Sequence, residues 1–177
     1  MKVYLASWFA SKDEMKKRAE DLQKLGIEST ARWINEVIDG QTQIKDVDKS
    51  YLKGTARIDI EDILTADTMI LNVPSEEDLE SYNLPLSTWA RGGRHFEAGF
   101  QYATMFLFEQ LPEYIKERGV RKLILVGHKE NVFHYLDDLE SNGSIGEFDL
   151  PSILTFADWE EACKYLTRIR EEAYVVR

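Results

Sequence analysis

Cysteine is nearly missing from this 177-residue chain: Cys163 is the only one. A single thiol closes no intramolecular disulfide, so the expected setting is a reducing cytoplasm. Histidine is almost as scarce. His95, His128 and His134 are the three present, and their spacing does not make a metal site. His95-x-Glu97 matches half of a zinc-deaminase signature, but the other half, P-C-x-x-C, is absent. No metal and no cofactor are expected. Positive charge is in short supply too, with 22 Lys and Arg against 32 Asp and Glu and a formal net charge of −10. That balance argues against non-specific binding to nucleic acid or to an anionic membrane, although a local group of cations can still hold a small anion.

Long hydrophobic runs are lacking as well. No stretch is long enough to cross a bilayer. The opening MKVYLAS leads straight into a strand pattern without the apolar region and cleavage site of a leader, so none is expected. The glycine-rich phosphate loops are missing: there is no G-x-G-x-x-G after the first strand and no G-x-x-x-x-G-K-[ST]. G-x-S-x-G, which would mark an α/β-hydrolase nucleophile, does not occur either. Nor is there an acidic pair after the first strand or an Asp ending the third, as a phospho-receiver domain would need. Those places hold Ser7-Trp8-Phe9 and Asn72.

What is present fits one domain over residues 1–177, with 44% hydrophobic residues to build a core and 31% charged residues to solvate it. Apolar runs predict strands at Lys2–Ala6, Ile27–Trp33, Thr68–Val73, Lys122–Val126 and Ile153–Phe156. Between them, helices are predicted at Lys12–Leu25, Ala56–Leu64, Arg94–Gln110, Glu113–Arg118 and from Asp158 to about Glu172. Ser11 and Glu14 are placed for a capping box, and Gly26 for a helix stop. Asn35–Lys53 reads as loop-like with room for a short helix, Glu76–Ala90 as a long loop, and Asn142-Gly143-Ser144 as a turn. In the Arg94–Gln110 stretch Phe96, Phe100, Ala103 and Leu107 share one helix face. The strict alternation of strand and helix argues for a five-stranded parallel sheet, doubly wound, with helices on both faces. Ligands of such sheets bind beyond the carboxyl ends of the strands, which here carry Ser7, Trp8 and Asn72.

The stretch TWARGGRHFEAGF, Thr88 to Phe100, stands out in an acidic chain. Two arginines, Arg91 and Arg94, bracket Gly92 and Gly93 at the start of a helix. The glycines permit close backbone approach. The free N–H groups of a first helical turn favour an anion. Glu97, in or near that turn, is expected to be held in its ionised form, which suits a nucleophile. Acidic residues in first turns are also commonplace without any function, so this stretch alone decides little.

Four segments together resemble the nucleoside 2-deoxyribosyltransferase family and its relatives that hydrolyse deoxynucleoside 5′-monophosphates. They are Lys2-Val-Tyr-Leu-Ala-Ser-Trp-Phe9, Asp59-Ile-Glu-Asp-Ile-Leu-Thr-Ala-Asp67, Gly92-Gly-Arg-His-Phe-Glu-Ala-Gly99 and Leu123-Ile-Leu-Val-Gly-His-Lys-Glu-Asn-Val-Phe-His-Tyr-Leu136. The resemblance spans most of the chain. It implies a flavodoxin-like fold and cleavage of an N-glycosidic bond in a nucleoside or nucleotide. It also implies that Glu97 is the nucleophile, that Asp59, eight residues before Asp67, protonates and orients the base, and that the Tyr4 hydroxyl bonds to the nucleophile. Ser7 and Trp8 would line the base or sugar pocket. Asn131 corresponds to an asparagine that reaches across a subunit interface to the neighbour's sugar, so a homo-oligomer is expected.

Two departures bear on substrate. Six residues before the nucleophile, the transferases carry an Asp and the monophosphate hydrolases a small hydroxyl residue. This chain has Arg91, whose planar fork suits a phosphate. Met105–Val120 is longer than expected between helix and strand, with an apolar face of Phe106, Leu107, Leu111 and Tyr114 fit for a subunit interface. A non-catalytic nucleotide sensor on the same fold is the alternative, and its mark would be a missing nucleophile.

Overall fold

A computed structural model describes residues 1–8, 11–36, 48–73, 93–107, 122–127, 144–145, 148–149 and 153–175. Its central sheet is built from β1 (Lys2–Ala6), β2 (Glu28–Ser29), β3 (Thr68–Val73), β4 (Lys122–Gly127) and β7 (Leu154–Phe156), all paired in parallel in the order β2-β1-β3-β4-β7. This is the flavodoxin-like arrangement, and the reversal of strand order falls between β1 and β3. A separate antiparallel ribbon joins β5 (Ser144–Ile145) to β6 (Phe148–Asp149), so Ser144, expected in a turn, lies in a strand, while Asn142 and Gly143 lie outside the described residues. Every residue of β3 is buried, as are the middle residues of β1 and β4. A strand covered on both faces is largely apolar, and the buried polar Asn72 of β3 has its hydrogen bonds made within the fold. Asp67 ties the near ends of three strands together: its Oδ2 accepts the Lys2 N–H at 2.7 Å, its own N–H donates to the Lys2 carbonyl, and its carbonyl accepts the Lys122 N–H.

Among the described residues four helices cover the sheet: α1 (Lys12–Lys24), α2 (Lys49–Thr65), α3 (Gly93–Phe106) and α4 (Trp159–Val175). Helices α1 and α4 meet on one face, where the Arg18 guanidinium lies 4.9 Å from the centre of the Trp159 ring. Helices α2 and α3 meet each other, and both touch β1, on the opposite face. At the far edge of the sheet Gly127 has φ +109°, and a Cβ there would sit 2.2 Å from the Val73 carbonyl oxygen. Only a glycine lets β3 and β4 end this close together.

Several expectations need correction. The second strand is two residues long, because the chain leaves the sheet for a 3-10 turn at Arg32–Asn35 that buries Trp33 and Ile34. No capping box forms at α1. The Ser11 hydroxyl turns away to the Ser7 hydroxyl and the Trp8 carbonyl, and Glu14 is taken by Arg18. Helix α2 begins seven residues earlier than predicted, capped by the Asp48 side chain, which accepts the Ser50 and Tyr51 N–H groups. Helix α4 starts where expected: Asp158 accepts the Glu161 N–H at 2.9 Å.

Of the four residues expected on one face, Phe96 and Ala103 of α3 and Leu107 just past its end are exposed, and only Phe100 packs partly against the core. Phe96 is 65% and Leu107 45% exposed, while Arg94, Ala98, Gln101 and Thr104 are buried. The inner face holds its polar groups by specific bonds, such as Gln101 Nε2 to the Lys122 carbonyl. Burial therefore follows those pairings and not apolar periodicity. The stretches predicted as a loop at 76–90 and a helix at 113–118 lie outside the described residues.

Candidate active site

Three elements bring Tyr4, Asp59 and Glu97 together on the α2–α3 side of the sheet. Strand alternation points Tyr4 of β1 to that side, where it is fully buried. Asp59 sits on the inward stripe of α2 and is half-buried, one helical turn before the buried Asp62. Glu97 is the fifth residue of α3 and is half-buried.

That position corrects the expectation for Glu97. The first turn of α3 holds no acidic residue, and the helix dipole fades within that turn. Burial dominates, the charge of Asp59 adds to it, and the Tyr4 hydroxyl opposes both, so the Glu97 carboxyl is pushed up to about 7. It is held near neutrality instead of firmly ionised. Asp59 is raised to about 6, first by burial and then by the charges of Glu36 and Asp62, with Arg32 pulling the other way. Tyr4 is driven far above the usual phenol range by burial and by Glu97, so it remains a neutral donor. The Tyr4 hydroxyl and Asp59 Oδ1 are buried with no hydrogen bond of normal geometry among the described residues. Active-site bonds of this kind often tighten only when substrate binds.

The surroundings of Asp59 escaped the sequence reading. Asp62 accepts the Arg32 backbone N–H at 2.9 Å and the Arg32 Nε–H at 2.6 Å. Glu36, just beyond the turn, is itself raised by burial, while its carbonyl accepts from Lys12 Nζ. The i, i+3 spacing of Asp59 and Asp62 was a visible signal. Nothing local links either to Arg32.

Ser7, Trp8 and Asn72 stand together at the carboxyl ends of β1 and β3. Ser7 Oγ donates to the Asn72 carbonyl at 3.3 Å and accepts from Ser11 at 2.8 Å and from Asn72 Nδ2 at 3.4 Å. Asn72 Oδ1 accepts from Arg18. Their polar atoms thus join β1, β3 and α1 into one network. Gly93 opens α3, and Arg94 beside it is buried. Arg91, Gly92 and Asn131 lie outside the described residues. Among those residues, no three His, Cys, Asp or Glu side chains gather into a metal-binding group, and no helix is long and apolar enough to cross a membrane.

A solved 2-deoxyribosyltransferase from the psychrotolerant bacterium Bacillus psychrosaccharolyticus superposes with a TM-score of 0.50 at 17% identity, over 93% of this chain and 92% of that one. The chain shares the fold of a 2-deoxyribosyltransferase. A conserved protein from Enterococcus faecalis V583 aligns equally well, with a TM-score of 0.50 at 15% identity over 96% and 98% of the two chains. A CMP N-glycosidase from Clostridium botulinum aligns over 94% and 98% of the chains at 16% identity, with a lower TM-score of 0.45. No family profile and no curated protein matches the sequence. At these identities the likeness establishes the fold alone, so the chemistry has to be argued from the site.

Proposed function

We propose that this chain cleaves the N-glycosidic bond of a 2′-deoxynucleoside or its 5′-monophosphate and passes the sugar to water or to a second base. The observation that carries this reading is the convergence of two carboxyls with raised pKa values and a buried neutral phenol, drawn from β1, α2 and α3. Glu97 in its carboxylate form attacks the anomeric carbon. The C–N bond breaks with its electron pair going to the base nitrogen, and Asp59 in its acid form supplies the proton. The result is a sugar ester on Glu97 and a free neutral base. An acceptor then attacks the same carbon, Asp59 takes its proton, and Glu97 leaves as carboxylate. Tyr4 donates to Glu97 and steers the attacking oxygen. The oxocarbenium-like transition state gains from the negative charge beside it.

Ser7, Trp8, Asn72, Gly92, Gly93 and Arg94 are proposed to line the substrate pocket, and Arg91 to pair with a 5′-phosphate. The exposed Phe96, stacked on the half-buried Phe100 with centroids 6.4 Å apart, supports a homo-oligomer, with Asn131 completing a neighbouring site.

Incubation with a panel of deoxynucleosides and their 5′-monophosphates, followed by detection of free base, tests the activity. A 2-fluoro-2-deoxy substrate should leave a sugar adduct visible by intact mass on the wild type and not on Glu97→Gln. No release from any member of the panel would reject the reading and favour a sensor. Equal kcat/KM for a nucleoside and its monophosphate, or a preference untouched by Arg91→Ala, would remove the phosphate assignment.

A further inference from the structure

The Arg32–Asn35 turn is capped from outside its own segment. Its preceding residue, Ala31, offers no side-chain cap, which leaves the Arg32 N–H without a local partner. Asp62 of α2 provides one. One carboxylate oxygen takes that backbone N–H and the other takes the Arg32 Nε–H, while the Asp62 carbonyl accepts the Thr30 hydroxyl at 3.0 Å. The same guanidinium reaches the Ile58 carbonyl, one residue before Asp59, at 3.4 Å, and the exposed Glu61 carboxylate at 3.4 Å. The turn so held carries Trp33, whose Nε1 donates to the Leu5 carbonyl at 2.8 Å, next to Tyr4, and it leads to Glu36. The first two residues of the turn are therefore fixed to α2 and β1, elements that carry proposed catalytic groups.

We propose that Asp62 is a positioning residue for Asp59: through Arg32 it clamps the 32–35 turn onto α2 and so sets the charges and the wall around Asp59. It rests on the function proposed above only for its catalytic meaning. The charged and titratable groups that face Asp59 are Tyr4 from β1, Glu97 from α3, Asp62 from its own helix, and Arg32 and Glu36 from the turn and its exit. Asp62 acts on Asp59 twice, by its own negative charge and by occupying Arg32. Removing that charge leaves the guanidinium with only the more distant, exposed Glu61 carboxylate for company, freeing more of its charge for Asp59, and both changes favour the ionised form.

The test is a carbon-13 NMR titration of the Asp59 carboxyl in the free protein, paired with the pH dependence of kcat/KM on a deoxynucleoside 5′-monophosphate. Asp62→Asn is nearly isosteric. It should move the Asp59 midpoint and the matching limb of the rate profile down by roughly half a unit to one unit, with kcat falling more than KM rises. Arg32→Gln keeps the backbone clamp and removes the cation, so it should move both upward. Glu61→Gln, which touches only the exposed side of the guanidinium, should move neither. A folded Asp62→Asn protein with an unmoved midpoint, or an equal shift in Glu61→Gln, overturns the proposal. Should Asp62→Asn fail to fold, Arg32→Gln decides: a rise supports the clamp and no change overturns it. The titration needs no turnover. An absence of base release would therefore reject the function while leaving this result readable.

Discussion

On the sheet face covered by α1 and α4, Arg18 donates to Glu14 and Asn72 and lies over Trp159, and the Trp159 indole N–H reaches Asp21 at 3.4 Å. On the face covered by α2 and α3, Tyr4 and Asp59 bury polar atoms without full hydrogen bonds, and Asp59 and Glu97 are held well above the ordinary carboxyl range. A buried polar group that is fully bonded contributes to structure. One left under-bonded costs stability and keeps its capacity for a ligand. The under-bonded Tyr4 and Asp59, together with the raised carboxyls, are what support placing the proposed chemistry on the α2–α3 face.

Breaking the chemical face should produce the largest effect. Glu97→Gln is expected to lower base release by several orders of magnitude, since a covalent nucleophile has no substitute nearby. Circular dichroism and melting at pH 5 should show an intact fold. Turnover near the wild-type rate in a folded Glu97→Gln protein would place the chemistry elsewhere.

The pH profile of kcat/KM comes next. The reaction needs Glu97 ionised and Asp59 protonated, so the profile should be a bell with limbs near 6 and 7 and losses of about tenfold per unit outside them. Asp59→Asn should remove the Asp59 limb and lower kcat by roughly a hundredfold. A profile flat between pH 5 and 8 would deny both carboxyls a role.

The structural face should respond differently. Arg18→Ala removes charge-assisted bonds to Glu14 and Asn72 and is expected to cost about 1–3 kcal/mol in unfolding free energy. It should leave the limbs of the bell where they are. A shifted bell would mean that the two faces are not separate.

The smallest effect sharpens the contrast from the opposite side. A carboxyl whose folded pKa is raised adds stability below its unfolded value and loses it as pH climbs through the folded one. For Glu97 that window runs from 4.5 to about 7. Glu97→Gln should therefore be more stable than wild type at pH 8, by about 1–2 kcal/mol once solvent screening of the half-buried carboxyl is allowed for, and close to it at pH 4.5. Denaturant unfolding at the two values measures this, and a mutant no more stable at pH 8 would contradict the burial argument.

Much of this was legible in the chain itself. The strongly apolar Thr68–Val73 and Lys122–Val126 runs announced central parallel strands, and the alternation of elements announced the doubly wound sheet. Tyr4, Asp59 and Glu97 could be named from local segments. Their electrostatics could not, because a helix terminus is a local feature and burial is a tertiary one. The orientation of α3 misled for a related reason. Periodicity assumes that the oily stripe faces inward, yet here Gln101 and Thr104 are inside with their polar atoms bonded. The partnership of Asp62 with Arg32 joins residues thirty positions apart and leaves no trace in either neighbourhood.

Gly127 limits what can vary in this chain. The Val73 carbonyl oxygen fills the place where any side chain would begin, and the backbone there is already in a region that other residues avoid. In a saturation library screened for folded protein, position 127 should return glycine alone. Gly54 and Gly99, with no atom within 4 Å of an added Cβ, should accept alanine freely. Diversity meant to reshape the pocket has to enter from the helices and loops, because the strand ends beneath it admit no new side chain at this point.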